Sequence, residues 1–353
     1  MKEVVVDVLQ SRGTYYEIGV RFGQKLRQSP LYSHHEKRRK KSLRDYNVKL
    51  LEVEGLLRQF APGLWDELNG LSHGLQWSLE DTIHEYSGFQ QEWKESGCSS
   101  LAKDGIYVRN YDYHPKTYEG RLLLVEPAGG YASIGFSGRG IGRIDGLNEK
   151  GLAVGFHFVN RIKPGDGFIC TTIARILLDT CKNTDEAIEV LRRLPHRHSF
   201  NYSLYDQGGK AAVVEASPRG IGVYHHSTLS CTNHFQMNHM KKDNRHYVKD
   251  SQKRLDLLHS EQEKELTIDG AFKLFNRGDS PIFKKAYDAW AGTIHTCVFE
   301  CTSLRCLIGF GESSDGLVVD FQEWVRGRDI PVRKMSGKFD TNEPFLFMEE
   351  VTE

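Results

Sequence analysis

Ser96-Gly97-Cys98-Ser99-Ser100 and, shortly after it, Val108-Arg109-Asn110-Tyr111-Asp112-Tyr113 stand where the chain changes character. Before residue 97 the apolar residues recur at helical spacing. Leu50, Leu51, Val53, Leu56, Leu57 and Phe60 form one stripe, and Pro62 opens a second through Trp65, Leu68, Leu71 and Leu75. After it, short runs punctuated by glycine predict strands over 106–111, 121–125, 131–136 and 151–159. Helices are expected over 172–181 and from a cap at Asn183 or Thr184, with Asp185 and Glu186 in the first turn and Pro195 beyond the end. Strands then return over 202–205, 211–215 and 221–225. Helices follow over 251–258 and 267–275, the second stopped by Gly278, and 293–299 with 304–310 reads as a closing hairpin. Runs of strands alternate with runs of helices and no βα unit repeats. The expectation is therefore an α+β fold with antiparallel sheet, one compact domain in which residues 1–97 form a mostly helical segment and 98–353 the core.

Composition narrows the function. The 353 residues carry 47 Lys+Arg against 47 Asp+Glu, so no global field draws the chain to nucleic acid. Apolar types at 39% suffice for a substantial core, yet no run is long enough to predict a membrane span. The start, Met1-Lys2-Glu3-Val4-Val5-Val6-Asp7, does not resemble a signal peptide, and seven cysteines without a secreted-domain framework read as reduced thiols, so a cytoplasmic location is expected. The basic run from Lys37 to Lys41 lacks interleaved aromatics and reads as a solvated helix face rather than a phosphate site.

Three motifs invite chemistry. Gly70-Leu71-Ser72-His73-Gly74 matches G-x-S-x-G, but a nucleophile elbow needs a strand before the serine, and residues 62–69 read as helix. Cys297, Cys301 and Cys306 near His295 suggest zinc ligands, but no C-x-x-C knuckle is present and the surrounding residues are strand-like and apolar, so buried thiols are the simpler reading. The third is Gly97-Cys98. If that peptide bond is cut, Cys98 gains a free α-amine with a reference pKa of about 8 that can act as base for its own thiol. The glycine offers little obstruction to attack on its carbonyl. Such a site needs a group to hold the amine, a cation near the sulfur and donors for an oxyanion. Arg109 and Asp112 follow at the end of the next strand. Their spacing of three puts them on opposite faces of a regular strand, so a bulge near Tyr111 is expected if both serve one site. Asn233, in Ser230-Cys231-Thr232-Asn233-His234, ends a predicted strand with an amide that could donate to an oxyanion.

Gly97-Cys98-Ser99, Arg109-Asn110-Tyr111-Asp112-Tyr113, Gly146-Leu147-Asn148-Glu149-Lys150-Gly151-Leu152 and Thr232-Asn233-His234 occur in that order. Together they resemble the acyl-coenzyme A:isopenicillin N acyltransferase family of N-terminal nucleophile hydrolases, with choloylglycine hydrolases and acid ceramidase as more distant likenesses. The similarity extends to Gly13-Thr14-Tyr15-Tyr16-Glu17-Ile18-Gly19 and the stretch from Trp65 to Gly74. The resemblance implies a four-layer αββα sandwich made as a precursor that cuts itself between Gly97 and Cys98, the two pieces staying together. It implies that Cys98 is the nucleophile, Arg109 lies beside the thiol, Asp112 holds the new amine, Asn233 stabilises the oxyanion, and Arg254 closes the polar network. A backbone N–H near Phe156 and His157 would be the second oxyanion donor. Choloylglycine hydrolases commonly carry an asparagine where His157 stands, which argues against a bile-salt substrate. The substrate expected is a small acyl amide or acyl thioester, with coenzyme A entering as part of a substrate and neither metal nor redox cofactor required; homo-oligomers are compatible with this picture. Tyr113, Phe136, Phe156 and Phe158 are candidate acyl-pocket residues. The rival readings are a non-catalytic binding protein on the same fold and a serine esterase using Ser72.

Overall fold

The computed structural model describes residues 1–94, 96–160 and 162–351. The chain opens with β1 (Lys2–Gly13) and α1 (Tyr15–Arg27). Thr14 starts α1 with a capping box: its hydroxyl accepts the Glu17 backbone N–H at 3.2 Å, and the Glu17 carboxylate accepts that of Thr14 at 2.9 Å. Helices α2 (Leu31–Ser42), α3 (Leu50–Phe60), α4 (Pro62–Leu75) and α5 (Leu79–Tyr86) complete the helical segment. A Cβ on Gly70 would lie 2.0 Å from the Tyr16 carbonyl oxygen, and one on Gly74 2.3 Å from that of Val20. The glycines of the G-x-S-x-G match therefore let α4 and α1 touch backbone to backbone. Ser72 lies inside α4 and donates its hydroxyl to the Asn69 carbonyl at 2.7 Å, which is not an elbow.

Downstream come β2 (Gly97–Lys103), β3 (Ile106–Tyr113), β4 (Arg121–Pro127), β5 (Ser133–Gly138), β6 (Gly142–Arg143), β7 (Asp145–Asn148) and β8 (Ala153–Asn160). Next are α6 (Cys170–Thr180), α7 (Thr184–Arg193), β9 (Ser199–Tyr205), β10 (Ala211–Ser217), β11 (Gly220–His226) and β12 (Leu229–Cys231). The chain closes with α8 (Lys249–Glu261), α9 (Ile268–Asn276), β13 (Lys285–Ala286), β14 (Ala291–Glu300), β15 (Arg305–Phe310), β16 (Leu317–Asp320), α10 (Phe321–Val325), β17 (Lys334–Phe339) and β18 (Glu349–Val351). Two expectations change. Cys98 lies within a strand rather than before one, and the β14–β15 hairpin is not the close, because β17 and β18 return to pair with β1.

The larger sheet runs β11-β10-β9-β8-β7-β5-β4-β1-β17, and the smaller β12-β2-β3-β14-β15-β16. Pairing is antiparallel except between β1 and β4. Helices α6 and α7 pack on the larger sheet, α8 and α9 on the smaller, and β2 and β12 of one sheet face β8 and β9 of the other. This is the αββα sandwich expected, with the main apolar core between its layers. No helix among the described residues is long and apolar enough to cross a membrane.

Candidate active site

Strands β2 and β3 form a hairpin whose two-residue turn, Asp104-Gly105, has φ of +53° and +80°, the conformation that tight hairpins favour. Its register sets Cys98 opposite Tyr111 and Gly97 opposite Asp112. No bulge interrupts β3 against β2. The irregularity lies on β14, between Thr293 and His295, so the expected bulge near Tyr111 is displaced to the neighbouring strand. Arg109 and Asp112 accordingly keep to opposite faces, and the site straddles the strand pair.

On the face turned to the larger sheet, Arg109 donates through Nη2 to Cys98 Sγ at 3.3 Å and to the Phe156 carbonyl at 2.6 Å, and through Nη1 to Asp145 Oδ2 at 2.6 Å. Gly155 makes room for this side chain, since a Cβ there would lie 2.6 Å from Arg109 Cδ. Asp145 Oδ2 also meets His295 Nε2 at 2.8 Å, and His295 Nδ1 meets the Tyr118 hydroxyl at 2.7 Å. Burial alone would raise the Asp145 carboxyl, but His295 and Arg109 hold it below its ordinary range. Asp145 was invisible to sequence reasoning. It sits in a short strand far from Arg109, with no spacing that ties the two together.

On the other face, Asp112 Oδ1 accepts the Thr293 hydroxyl at 2.8 Å, while Oδ2 is buried without a partner. That oxygen lies 3.3 Å from where a Cβ on Gly97 would be, so a side chain at 97 would press on it. Burial pushes the Asp112 carboxyl up to about 7, against the opposing pull of Arg254. Burial also pushes the Cys98 thiol up to about 11, although Arg109 pulls it down.

Strand β12 pairs with β2 only from Ser100 to Ala102. Where it stops, side chains replace it. The Cys98 backbone N–H donates to Asn233 Oδ1 at 2.8 Å, and Arg254 Nη1 donates to the Cys98 carbonyl and to Ser99 Oγ, both at 2.7 Å. Arg254 Nη2 reaches Asn233 Oδ1 at 3.0 Å, and Asp250 holds its Nε at 2.9 Å. Asn233 Nδ2 donates to the Phe158 carbonyl at 2.9 Å and to that of Ser96 at 3.2 Å, on the far side of the Gly97–Cys98 bond.

Cys98, Arg109, Asp112, Asn233 and Arg254 are thus brought together and buried. His157 differs. The carbonyls of Phe156 and Phe158 both leave β8 toward the site, so the alternation of an antiparallel ladder turns the His157 backbone to Asn201 of β9. A strand N–H facing Cys98 belongs to Phe156 or Phe158 instead. The His157 ring lies between the Ser100 and Ser203 hydroxyls at 3.1 and 3.0 Å, and burial holds it well below the usual histidine range. Among the proposed pocket aromatics, Tyr113 and Phe156 contact Trp93 with ring centroids 5.5 and 5.8 Å away, and Phe158 joins them through Phe200. Phe136 does not; it stacks on His295 at 4.0 Å. Of the suspected zinc ligands, only Cys297 and His295 fall together, with Asp145, whose Oδ2 already accepts from Arg109; Cys301 and Cys306 lie outside that group.

The family model described as acyl-coenzyme A:6-aminopenicillanic acid acyl-transferase matches residues 94–315, from just before the candidate cut to just past the β14–β15 hairpin. The chain belongs to that family. Membership carries the coarse activity with it: acyl transfer to or from an amide. No curated protein sequence matches the chain. Among solved structures, penicillin V acylase from Agrobacterium tumefaciens is similar at 14% identity and TM-score 0.41, covering 64% of this chain and 86% of that one. A variant of conjugated bile acid hydrolase from Clostridium perfringens is similar at 13% identity and TM-score 0.41, covering 70% and 98%. The Caenorhabditis elegans ortholog of N-acylethanolamine-hydrolyzing acid amidase is similar at 13% identity and TM-score 0.39, covering 58% and 93%.

Proposed function

We propose that this chain is a cysteine N-terminal nucleophile enzyme that cuts itself between Gly97 and Cys98 and then turns over linear acyl amides or acyl thioesters through an acyl-Cys98 thioester. One observation carries the proposal. Arg109, Asn233 and Arg254 converge on the sulfur, the nitrogen and the carbonyl oxygen of the same residue, Cys98.

In the unbroken chain the thiol is protonated at neutral pH, because burial raises it to about 11. Asp112, at about 7 and with one oxygen unpartnered beside Gly97, lies on the other face of the strand pair from the sulfur, next to the bond that breaks. The sulfur attacks the Gly97 carbonyl, its proton passes to the leaving Cys98 nitrogen, and the Gly97–Cys98 C–N bond breaks. Water then cleaves the thioester, leaving a Gly97 carboxylate and a Cys98 amine. Asn233 Oδ1, already on that nitrogen, holds the amine together with Asp112. Departure of Ser96 from Asn233 Nδ2 frees a donor for the oxyanion, with a β8 backbone N–H beside it. In turnover the amine takes the thiol proton and returns it to the leaving group. Water completes hydrolysis; an acceptor amine completes transfer. Coenzyme A enters only as the leaving group of an acyl thioester.

The two pieces stay together in this scheme. Strand β1 lies inside the larger sheet, between β4 and β17, and Glu67 of α4 is paired with Arg175 of α6 at 2.7 Å, both buried. Separation would expose that core to water.

The test is to incubate the protein with an activated acyl thioester, quench in acid and weigh the chains. One acyl group should appear on the piece that begins at Cys98, removable by hydroxylamine. An acyl group on Ser72, or none on Cys98, would overturn the proposal.

A further inference from the structure

Behind Arg109 a line of buried side chains runs from the active site to Tyr118, and each link has a fixed direction. Arg109 can only donate, and Asp145, held ionised against burial by His295 and Arg109, can only accept. His295 Nε2 meets the same Asp145 oxygen at 2.8 Å, so that nitrogen carries the proton. Burial, opposed by Asp145, holds the ring below the usual histidine range, so it is neutral and Nδ1 is bare. The Tyr118 hydroxyl, 2.7 Å from Nδ1, must therefore donate to it.

In a regular strand Thr293 and His295 would share a face. The irregularity in β14 inserts Ile294 between them, so that Thr293 stands opposite Asp112 and His295 opposite Tyr111. Thr293 therefore serves the Asp112 face, and His295 the face of Cys98 and Arg109. Bulges beside active sites re-aim side chains in this way. There the His295 ring stacks on Phe136 at 4.0 Å and on Tyr111 at 5.2 Å, with 21° between the planes in each case. Arg109 stands between two acceptors, Asp145 at 2.6 Å and the Cys98 sulfur at 3.3 Å. Among the described residues, the other Asp145 oxygen has only the Cys297 thiol, at 3.8 Å. With His295 removed, Arg109 would be the one strong donor left on that buried carboxylate and would be drawn to it, off the sulfur.

We propose that His295, oriented by Tyr118, is a positioning residue for the nucleophile: by sharing the Asp145 oxygen it keeps the Arg109 guanidinium on the Cys98 sulfur, where it favours the thiolate over the thiol. This rests on the function proposed above and adds two residues to its machinery. Beyond burial, Asp112 opposes ionisation of the same thiol from the other face of the strand pair and Arg254 favours it from α8, while the thiols of Cys170 and Cys231 lie near it on α6 and β12. All four are common to the variants below.

The test follows the thiol itself. Protein carrying carbon-13 at the cysteine β-carbons is titrated by NMR, with the Cys98 signal assigned by its loss in Cys98→Ala. His295→Phe keeps a ring against Phe136 and Tyr111 but loses both hydrogen bonds. It should raise the thiol by about one pH unit and slow acylation by an activated thioester about tenfold at pH 7. His295→Gln, which still donates to Asp145, should recover most of both, and Tyr118→Phe should move the thiol the same way by less. An unchanged or lowered thiol in His295→Phe, or acylation as slow in His295→Gln as in His295→Phe, overturns the proposal and leaves His295 a packing residue. If the wild type neither cuts itself nor takes an acyl group, the proposed function fails, and the chain of hydrogen bonds is judged on the uncut protein. There the thiolate fraction at pH 10 should be lower in His295→Phe than in the wild type; equal fractions overturn it.

Discussion

Between α4 and α6, Arg175 donates to Glu67 and to Asp179, each at 2.7 Å, and Asp179 accepts the Tyr15 hydroxyl at 3.0 Å. Around Cys98, Arg109 is held as tightly by Asp145 and the Phe156 carbonyl, yet the sulfur it touches is at 3.3 Å and Asp112 keeps one oxygen without a partner. Both clusters are fully buried and both are centred on an arginine. In the first, Glu67, Arg175, Asp179 and Tyr15 leave no buried polar atom unmatched. Its effect is to fix the helical segment to the core. In the second, one acid is left short of donors and its carboxyl rises to about 7. The difference shows how burial serves two ends: with complete pairing it makes a rivet, and with a carboxylate oxygen left unpartnered it lifts that carboxyl toward neutral pH.

The largest expected effect breaks the rivet. Arg175→Leu strands two buried carboxylates and should lower unfolding free energy by about 3–5 kcal/mol, read by urea denaturation in a Cys98→Ala background so that cutting does not intervene. A loss under about 1 kcal/mol would mean that the two clusters do not differ in this way. Next, Asn233→Ala removes the group that holds the Cys98 nitrogen and the proposed oxyanion donor. Self-cleavage, followed by gel, should slow by about 10²–10³-fold; cleavage at the wild-type rate would separate Asn233 from the chemistry.

Asp112→Asn sharpens the comparison through pH. The folded-state carboxyl lies near 7, above its ordinary value of 3.8, so the folded protein binds the extra proton in between and loses stability as pH rises through that window. The amide variant is free of this cost. In a Cys98→Ala background, where the chain stays whole, it should melt a few degrees higher than the Asp112 protein at pH 8, with the gap narrowing steadily toward pH 4; a constant gap across pH would contradict the assignment. The smallest effect is expected for Ser72→Ala, which loses one hydroxyl bond inside α4. Stability should change by about 1 kcal/mol or less, with acylation of Cys98 unaltered.

Much of this was legible in the sequence because the strand and helix patterns are periodic and the site residues sit in recognisable contexts. Strand β2 was not, because Gly97, Cys98, Ser99 and Ser100 are small and polar and show no alternation although all are buried. The cue that could have found it is Asp104-Gly105, a two-residue hairpin turn between Lys103 and Ile106. Strand β17, Lys334–Phe339, hid for a similar reason: polar residues alternate there with few apolar ones, and only Gly337 and Phe339 are buried. Arg38 belongs to the basic run that reads as a solvated face, yet it turns inward to Glu85. That inward turn, like the Arg109–Asp145 pair, joins distant parts of the chain that only the tertiary fold brings into contact.

The most direct measurement is the intact mass, with N-terminal sequencing, of wild-type and Cys98→Ala protein purified side by side. The wild type should give two chains, one ending at Gly97 and one beginning at Cys98, and the variant a single uncut chain without activity. A wild-type protein that is fully active while still one unbroken chain would contradict the central claim.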